Sequence, residues 1–83
     1  MRHRSLREIA NDVRADWQPV DREAEPFLTA MERIDPITDR FRSASAIEIL
    51  AKFRWAARTW EGPAAEKIKQ EIDQILSSAF RLR

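Results

Sequence analysis

Glycine occurs once in this 83-residue chain, at position 62, and this scarcity constrains the fold more than any other feature. Tight turns between antiparallel strands usually need glycine, and the strict alternation of apolar and polar residues that marks a strand is almost absent. Apolar residues recur instead every three or four positions, as on one face of an α-helix. We therefore predict an all-α fold, a small four-helix bundle-like single domain over residues 1–83, with helices 3 and 4 antiparallel. Residues 1–4 and 81–83 are expected to be frayed.

The first predicted helix opens with Ser5 and Glu8, which match a capping box. In this motif the serine hydroxyl accepts a hydrogen bond from the glutamate amide, and the glutamate side chain accepts one from the serine amide. Pro19 ends the helix at or before Gln18, because the residue before a proline avoids the helical conformation. The helical spacing predicts one buried stripe: Leu6, Ile9, Ala10, Val13 and Trp17.

The second predicted helix has two alternative starts. If Asp21 is the N-cap, Pro26 lies inside the helix and kinks it. If Glu25 stands at the boundary, Pro26 takes the first helical position, where proline is well tolerated. The Asp-Pro pair at 35–36 repeats this order of cap and proline, and predicts a short helical turn over 37–41. The predicted buried face of the second helix comprises Ala24, Phe27, Leu28, Met31 and Ile34.

The third and fourth helices are separated by Gly62 and Pro63. Ser45 and Glu48 match a second capping box at the start of the third helix. Gly62 suits the left-handed residue that ends a helix, and Pro63 can open the next one. The third helix is predicted to bury Ala46, Leu50, Phe53, Ala57 and Trp60, and the fourth Ala65, Ile68, Ile72, Ile75 and Ala79, with Leu76 on its flank. Two i, i+4 ion pairs are expected on the wet side of the fourth helix: Lys67 with Glu71, and Lys69 with Asp73.

Composition excludes several classes of function. The absence of cysteine excludes disulfides, thiolate metal sites and a cysteine nucleophile. Fifteen Lys and Arg residues against fourteen Asp and Glu leave a net charge of +1, so no strong overall charge attracts nucleic acid or a membrane. No apolar run reaches the roughly 18 residues of a transmembrane span, and no basic-then-apolar leader opens the sequence. We expect a cytoplasmic protein that does not associate with membranes.

The residues that carry most enzyme chemistry are poorly placed in this sequence. His3 is the single histidine, and it precedes the first helix cap, where the fixed geometry that a general base needs is not expected. Asp12 and Asp16 lie one helical turn apart, but two carboxylates without a third ligand are a weak indication of a metal site. Ser5 and Ser45 are explained as helix caps. We therefore predict that the protein is not an enzyme and holds no cofactor and no metal.

The small net charge conceals two oppositely charged segments. Residues 20–39 carry two basic and six acidic side chains, whereas residues 40–60 carry five basic and one acidic. One interpretation is that the two segments pair across the surface of the bundle and cancel. The other is that a basic helical face meets an acidic partner.

Trp55 is the residue that the predicted core explains least. It falls on the side of the third helix opposite the apolar face, close to cationic side chains. Trp and Arg are over-represented among the residues that dominate binding energy at protein interfaces. The predicted protein-binding residues are Trp55, Arg58, Lys52 and Arg54. The alternative is that Trp55 packs under the loop around Pro36, or beneath a long arginine side chain, as a satellite of the core.

Several segments carry a resemblance to known sequences in the same order and at similar spacing: SLREIA at 5–10 with Asp16-Trp17, AxPFLxAM at 24–31, Asp35-x-Ile37-x-Asp39, and WxGxxAxxIKxE at 60–71. Over most of its length the chain thereby resembles a group of short, largely uncharacterised proteins encoded by bacteriophages and integrated elements. It departs from the group at Trp55, where the group tends to have a small polar residue, and at Glu61, where the group tends to have arginine. The resemblance implies a phage or mobile-element origin, and small proteins of that origin commonly bind and block a host protein.

The sequence thus predicts a non-enzymatic protein-binding module, a phage or mobile-element accessory that binds and inhibits a host protein or defence complex. One alternative is a small nucleic-acid-associated regulator that uses the basic face of helix 3, although the neighbouring acidic segment makes nucleic acid a poor partner. Another is a homo-oligomeric structural component, for instance a homodimer, which requires an exposed apolar stripe on helix 1 or helix 4.

Overall fold

The computed structural model describes residues 5–34 and 44–81, and over these residues the chain is helical with no β-strand. This confirms the predicted all-α fold with its four α-helices. A short 3₁₀ helix directly follows the third of them. The elements are α1 (Leu6–Asp16), α2 (Glu25–Arg33), α3 (Ala44–Ala56), the 3₁₀ helix (Ala57–Thr59) and α4 (Pro63–Arg81).

The capping box at the start of α1 is confirmed. The Glu8 amide donates to the Ser5 hydroxyl at 3.1 Å, and the Ser5 amide donates to Glu8 Oε1 at 3.0 Å. The helix ends at Asp16, before Gln18 as predicted, and the Trp17 amide donates to the Val13 carbonyl. Both ends of α1 are therefore determined by residues that the sequence already indicated.

The start of α2 favours the second of the two predicted alternatives. The amides of Ala24 and Glu25 both donate to the Asp21 carbonyl, so Asp21 opens a turn before the helix instead of capping it. Glu25 is the first helical residue, and Pro26 is the second, where its missing amide breaks no hydrogen bond of the helix. The helical turn predicted over 37–41 lies outside the described residues.

Two predictions at the ends of α3 need correction. The helix begins at Ala44, so Ser45 lies within its first turn and is not the N-cap. At its other end the α-helix does not continue to Trp60 but tightens at Ala57 into the 3₁₀ helix, where the Trp60 amide donates to the Ala57 carbonyl at 3.0 Å. The tighter winding lets the chain leave the helix while both Ala57 and Trp60 stay buried.

Gly62 has the positive φ that the sequence predicted, at +120°. It does not end α3, however, because the 3₁₀ helix and two further residues separate it from Ala56. Gly62 instead precedes α4, which opens at Pro63 as predicted, and its carbonyl accepts from the Glu66 amide at 2.9 Å. This short connection makes α3 and α4 antiparallel neighbours.

A single hydrophobic core joins all four helices, since α1 packs on α2 and α4, and α3 packs on α2 and α4. The Cα radius of gyration, 11.8 Å, is that of a compact domain of this length. None of the described helices is long and apolar enough to cross a membrane. The predicted stripes are confirmed as buried except at Trp17, Phe27, Ile34 and Ala79, which are half-buried. The buried core consists of Leu6, Ile9, Ala10, Val13, Ala24, Leu28, Met31, Ala46, Leu50, Phe53, Ala56, Ala57, Trp60, Ala65, Ile68, Ile72 and Ile75.

Candidate protein-binding surface

Trp55 lies on the outer side of α3, and 60% of its surface is exposed to solvent. Its helix neighbours Phe53 and Ala56 are fully buried, so the helix turns one face to the core and Trp55 away from it. Among the described residues, Trp55 is the one large apolar side chain with this degree of exposure. Trp55 is therefore not buried in the core, although a long arginine side chain, Arg58, lies over its ring as the alternative predicted. The loop around Pro36 lies outside the described residues.

Arg58 covers part of the Trp55 ring. Its guanidinium carbon lies 3.8 Å from the ring centroid, which is the geometry of a cation–π contact. The same guanidinium donates from Nη1 to the Trp55 carbonyl at 3.2 Å and from Nη2 to Glu23 Oε2 at 3.1 Å. The indole and the guanidinium thus hold each other in one arrangement on the outside of the helix.

Lys52 lies one helical turn before Trp55 on the same side of α3. Its ammonium is 3.8 Å from a carboxylate oxygen of Glu48, which is an ion pair but too long for a hydrogen bond. Both side chains are more than half exposed, so this pair contributes little to stability. We call the group formed by Glu23, Glu48, Lys52, Trp55 and Arg58 the Trp55 surface.

Arg54, the fourth predicted binding residue, is turned toward α4. Its Nε and Nη2 donate to the two carboxylate oxygens of Asp73 at 2.9 and 3.3 Å. This two-point contact holds α3 to α4 and keeps Arg54 out of the Trp55 surface. It also corrects the predicted Lys69–Asp73 pair, because Lys69 instead donates to the backbone carbonyl of Trp60.

The acidic and basic segments meet at the turn before α2. Glu23 pairs with Arg58 there, and the Thr59 hydroxyl donates to Asp21 Oδ2 at 3.2 Å. This contact supports the interpretation in which the two segments partly cancel. With two cations and two carboxylates, the Trp55 surface is close to neutral, less basic than the sequence of α3 alone indicated.

Sequence reasoning missed an ionic network that joins α1 to α2. Arg14 donates to both carboxylate oxygens of Glu32, at 2.7 and 3.0 Å, and its Nη2 lies 2.7 Å from Glu25 Oε1. These hydrogen bonds, that to Glu32 foremost, raise the pKa of Arg14 above its usual range. The sequence held no signal for this network. Arg14 and its partners lie on different helices, and the sequence does not reveal how the turn between α1 and α2 places them side by side.

A second missed cluster surrounds Trp60. Its ring stacks on Trp17 with centroids 5.4 Å apart and planes inclined by 8°, and its Nε1 donates to Asp16 Oδ2 at 3.0 Å. Burial lowers the pKa of the nearby Lys69 ammonium below its ordinary 10.5, and the positive charge of Arg54 acts in the same direction. The cluster closes the end of the bundle where α1 stops and the α3–α4 connection begins.

The described residues contain no group of candidate metal ligands, and no similar protein was found that would suggest a function. Over residues 5–34 and 44–81, no three His, Cys, Asp or Glu side chains are grouped as metal ligands, and Asp16 of the predicted acidic pair is bound to Trp60. His3 lies outside the described part of the chain. Comparisons with models of protein families, with curated proteins and with solved structures found no match.

Proposed function

We propose that this protein is a non-enzymatic binding module that engages another protein through the Trp55 surface. The observation that carries the proposal is the 60% exposure of Trp55 beside a core in which Trp60 is only 3% exposed. Burying a large aromatic side chain gains on the order of 2 kcal/mol, and Trp55 leaves that gain unused in the isolated chain. A partner that covers the ring would gain it.

Preorganisation supports the same proposal. A flexible side chain loses rotamer entropy when a partner immobilises it, roughly 0.5–1.5 kcal/mol each. The contact between Arg58 and the Trp55 ring, together with the hydrogen bonds of Arg58 to the Trp55 carbonyl and to Glu23, already restricts both side chains. Trp55 is accordingly the anchor, Arg58 and Lys52 contribute polar contacts around it, and Arg54 supports the surface by fixing α3 on α4.

We further propose that the protein is a phage or mobile-element accessory that binds and inhibits a host protein or defence complex, as the sequence resemblance implies. The near-neutral Trp55 surface favours a protein over a nucleic acid, since a polyphosphate needs a cluster of unpaired cations. The exposed apolar stripe that a structural homo-oligomer requires is not found on the described side chains of α1 and α4.

An affinity capture from lysate of the bacterium that carries the gene tests the proposal. Tagged wild-type protein is compared with Trp55→Ala and with Gln70→Ala, a matched control at an exposed position of α4. We expect one host protein to be recovered by wild type and control, to be lost with Trp55→Ala, and to resist nuclease. Equal recovery of the host protein by Trp55→Ala, or recovery that nuclease abolishes, would reject the proposal. Thermal unfolding of each variant verifies that it is folded.

A further inference from the structure

Two polar groups at the Trp55 ring lack a protein partner in the described part of the chain, and both are hydrogen-bond donors, whereas the carboxylates of Glu23 and Glu48 lie beside the two cations. Among the described residues nothing accepts from the indole Nε1 of Trp55, and nothing accepts from Nε of Arg58, whose contacts involve only its two terminal nitrogens. The Lys52 ammonium is too far from Glu48 to donate to it. Tryptophan, arginine and lysine side chains donate hydrogen bonds and accept none, so a partner that bonds to these donors does so through acceptors.

The surrounding charges limit which acceptors fit. Glu23 and Glu48 lie beside the two cations and bring the Trp55 surface close to neutrality. A nucleic acid presents a dense row of phosphates, which both carboxylates would repel. A protein segment with one or two carboxylates carries far less negative charge, and it can bind through short-range, charge-assisted hydrogen bonds from Arg58 and the indole.

The Trp55 ring needs an apolar contact at the same time. Its exposed surface is a single side chain, far less than the roughly 800 Å² per partner of a standard interface. A flat association of two copies through this ring would therefore be weak, whereas a short segment that lays an apolar side chain on the indole and a carboxylate on Arg58 matches both chemistries.

We propose that the Trp55 surface recognises a segment of a partner protein in which an Asp or Glu stands next to an apolar side chain. The inference rests on the proposed function and specifies the chemistry of the partner. The carboxylate of that segment takes the free donors of Arg58 and competes with Glu23 for the guanidinium, while the apolar side chain covers the exposed part of the indole.

Selection from a displayed library of random dodecapeptides tests this inference, with Trp55→Ala protein for counter-selection. We expect the enriched peptides to carry Asp or Glu beside an apolar residue. In solution, replacing that Glu by Gln in the peptide, or Arg58 by Gln in the protein, should weaken binding at least about tenfold. Gln70→Ala, at an exposed position of α4, should change nothing.

Enriched peptides that lack acidic residues, or whose affinity survives the Glu-to-Gln change, would overturn the inference while leaving the proposed protein-binding function standing. Failure to enrich any Trp55-dependent peptide would also overturn it, and the lysate capture would then decide the proposed function separately. Trp55-dependent binding of an oligothymidylate of about 20 nucleotides, tighter than that of any selected peptide, would reject both.

Discussion

Asp16 accepts a hydrogen bond from the indole Nε1 of Trp60 at 3.0 Å, which joins residues 44 positions apart in the sequence. Asp16 is the last residue of α1, where a negative charge is unfavourable because the carbonyl end of a helix dipole is itself negative. The hydrogen bond explains why an acid is tolerated there. It also satisfies the one polar atom of a ring that is otherwise in the core.

Two substitutions of Asp16 should distinguish the contribution of its hydrogen bond to stability from the effect of its charge. We expect Asp16→Asn to change the free energy of unfolding little, because the amide oxygen still accepts from Trp60 and the unfavourable charge is gone. Asp16→Ala should be less stable than Asp16→Asn by about 1 kcal/mol, the usual contribution of a hydrogen bond. Urea unfolding measures both, and equal stability of the two variants would contradict the assignment.

Arg14 should contribute to stability through its contacts with α2. We expect Arg14→Met to lower the free energy of unfolding by about 1–2 kcal/mol, since it removes the charge-assisted hydrogen bonds to Glu32 and Glu25 from a partly exposed site. Arg22→Met, at an exposed position, is the control and should have little effect. A double-mutant cycle with Glu32→Gln that shows no coupling energy would show that the network does not stabilise the fold.

Lys69 should make stability depend on pH in the alkaline range. Its pKa is lower in the folded protein than the ordinary 10.5, so the unfolded chain binds the proton more tightly. Stability should therefore rise as the pH increases from the lowered folded-state pKa toward 10.5. The chain has no Cys or Tyr to titrate in the same window.

The measurement is the urea midpoint at several pH values from about 8 to 11, bracketing the ordinary lysine pKa. In Lys69→Met the rise should be absent, whereas Lys67→Met, at an exposed position of the same helix, should retain it. A rise of equal size in Lys69→Met would assign it to other groups.

Gly62 should be sensitive to the smallest substitution. Its φ of +120° is one that residues with a Cβ rarely adopt, although an added Cβ would meet no atom within 4 Å. The cost of Gly62→Ala is therefore backbone strain and not a clash, and we expect a loss of about 1 kcal/mol or more. Thermal unfolding measures it, and an unchanged midpoint would mean that the connection relaxes at no cost.

The fluorescence of Trp55 should be distinguishable from that of the other two tryptophans by its accessibility to a quencher. Trp55→Phe is expected to remove most of the fluorescence that acrylamide quenches, because Trp60 is buried and Trp17 is half-buried against it. The free energy of unfolding should change by less than about 0.5 kcal/mol, as is usual for exposed positions. Quenching that is unaffected by the change would show that the ring is covered in solution.

The fold could be predicted from the sequence because its signals are local. Helical spacing depends on neighbours three and four residues away, and it correctly identified the core faces of all four helices, including Phe53 and Ile72. The Ser5 capping box and Pro63 are equally local. The errors lie at the two ends of α3, which begins one residue before Ser45 and is followed by a 3₁₀ helix. At that second end Arg58, Thr59 and Trp60 bond to residues distant in the sequence, and no local pattern reveals such contacts.

The candidate surface was predictable only in part. The angular position of Trp55 on α3 predicted that it would leave the core, because a helix has only one buried face here. The partners of the cations were not predictable. Arg54 finds Asp73 and Arg58 finds Glu23 at separations of 19 and 35 residues, and such pairs depend on how the helices are placed side by side.

One guanidinium belongs to two parts of the molecule, because Arg58 rests on the Trp55 ring and is bonded to Glu23 in the turn that leads into α2. A partner that binds the ring and draws Arg58 toward itself should weaken the hydrogen bond between Arg58 and Glu23. Binding at the ring is therefore expected to affect the start of α2, so a label placed on the turn should report occupancy of the ring.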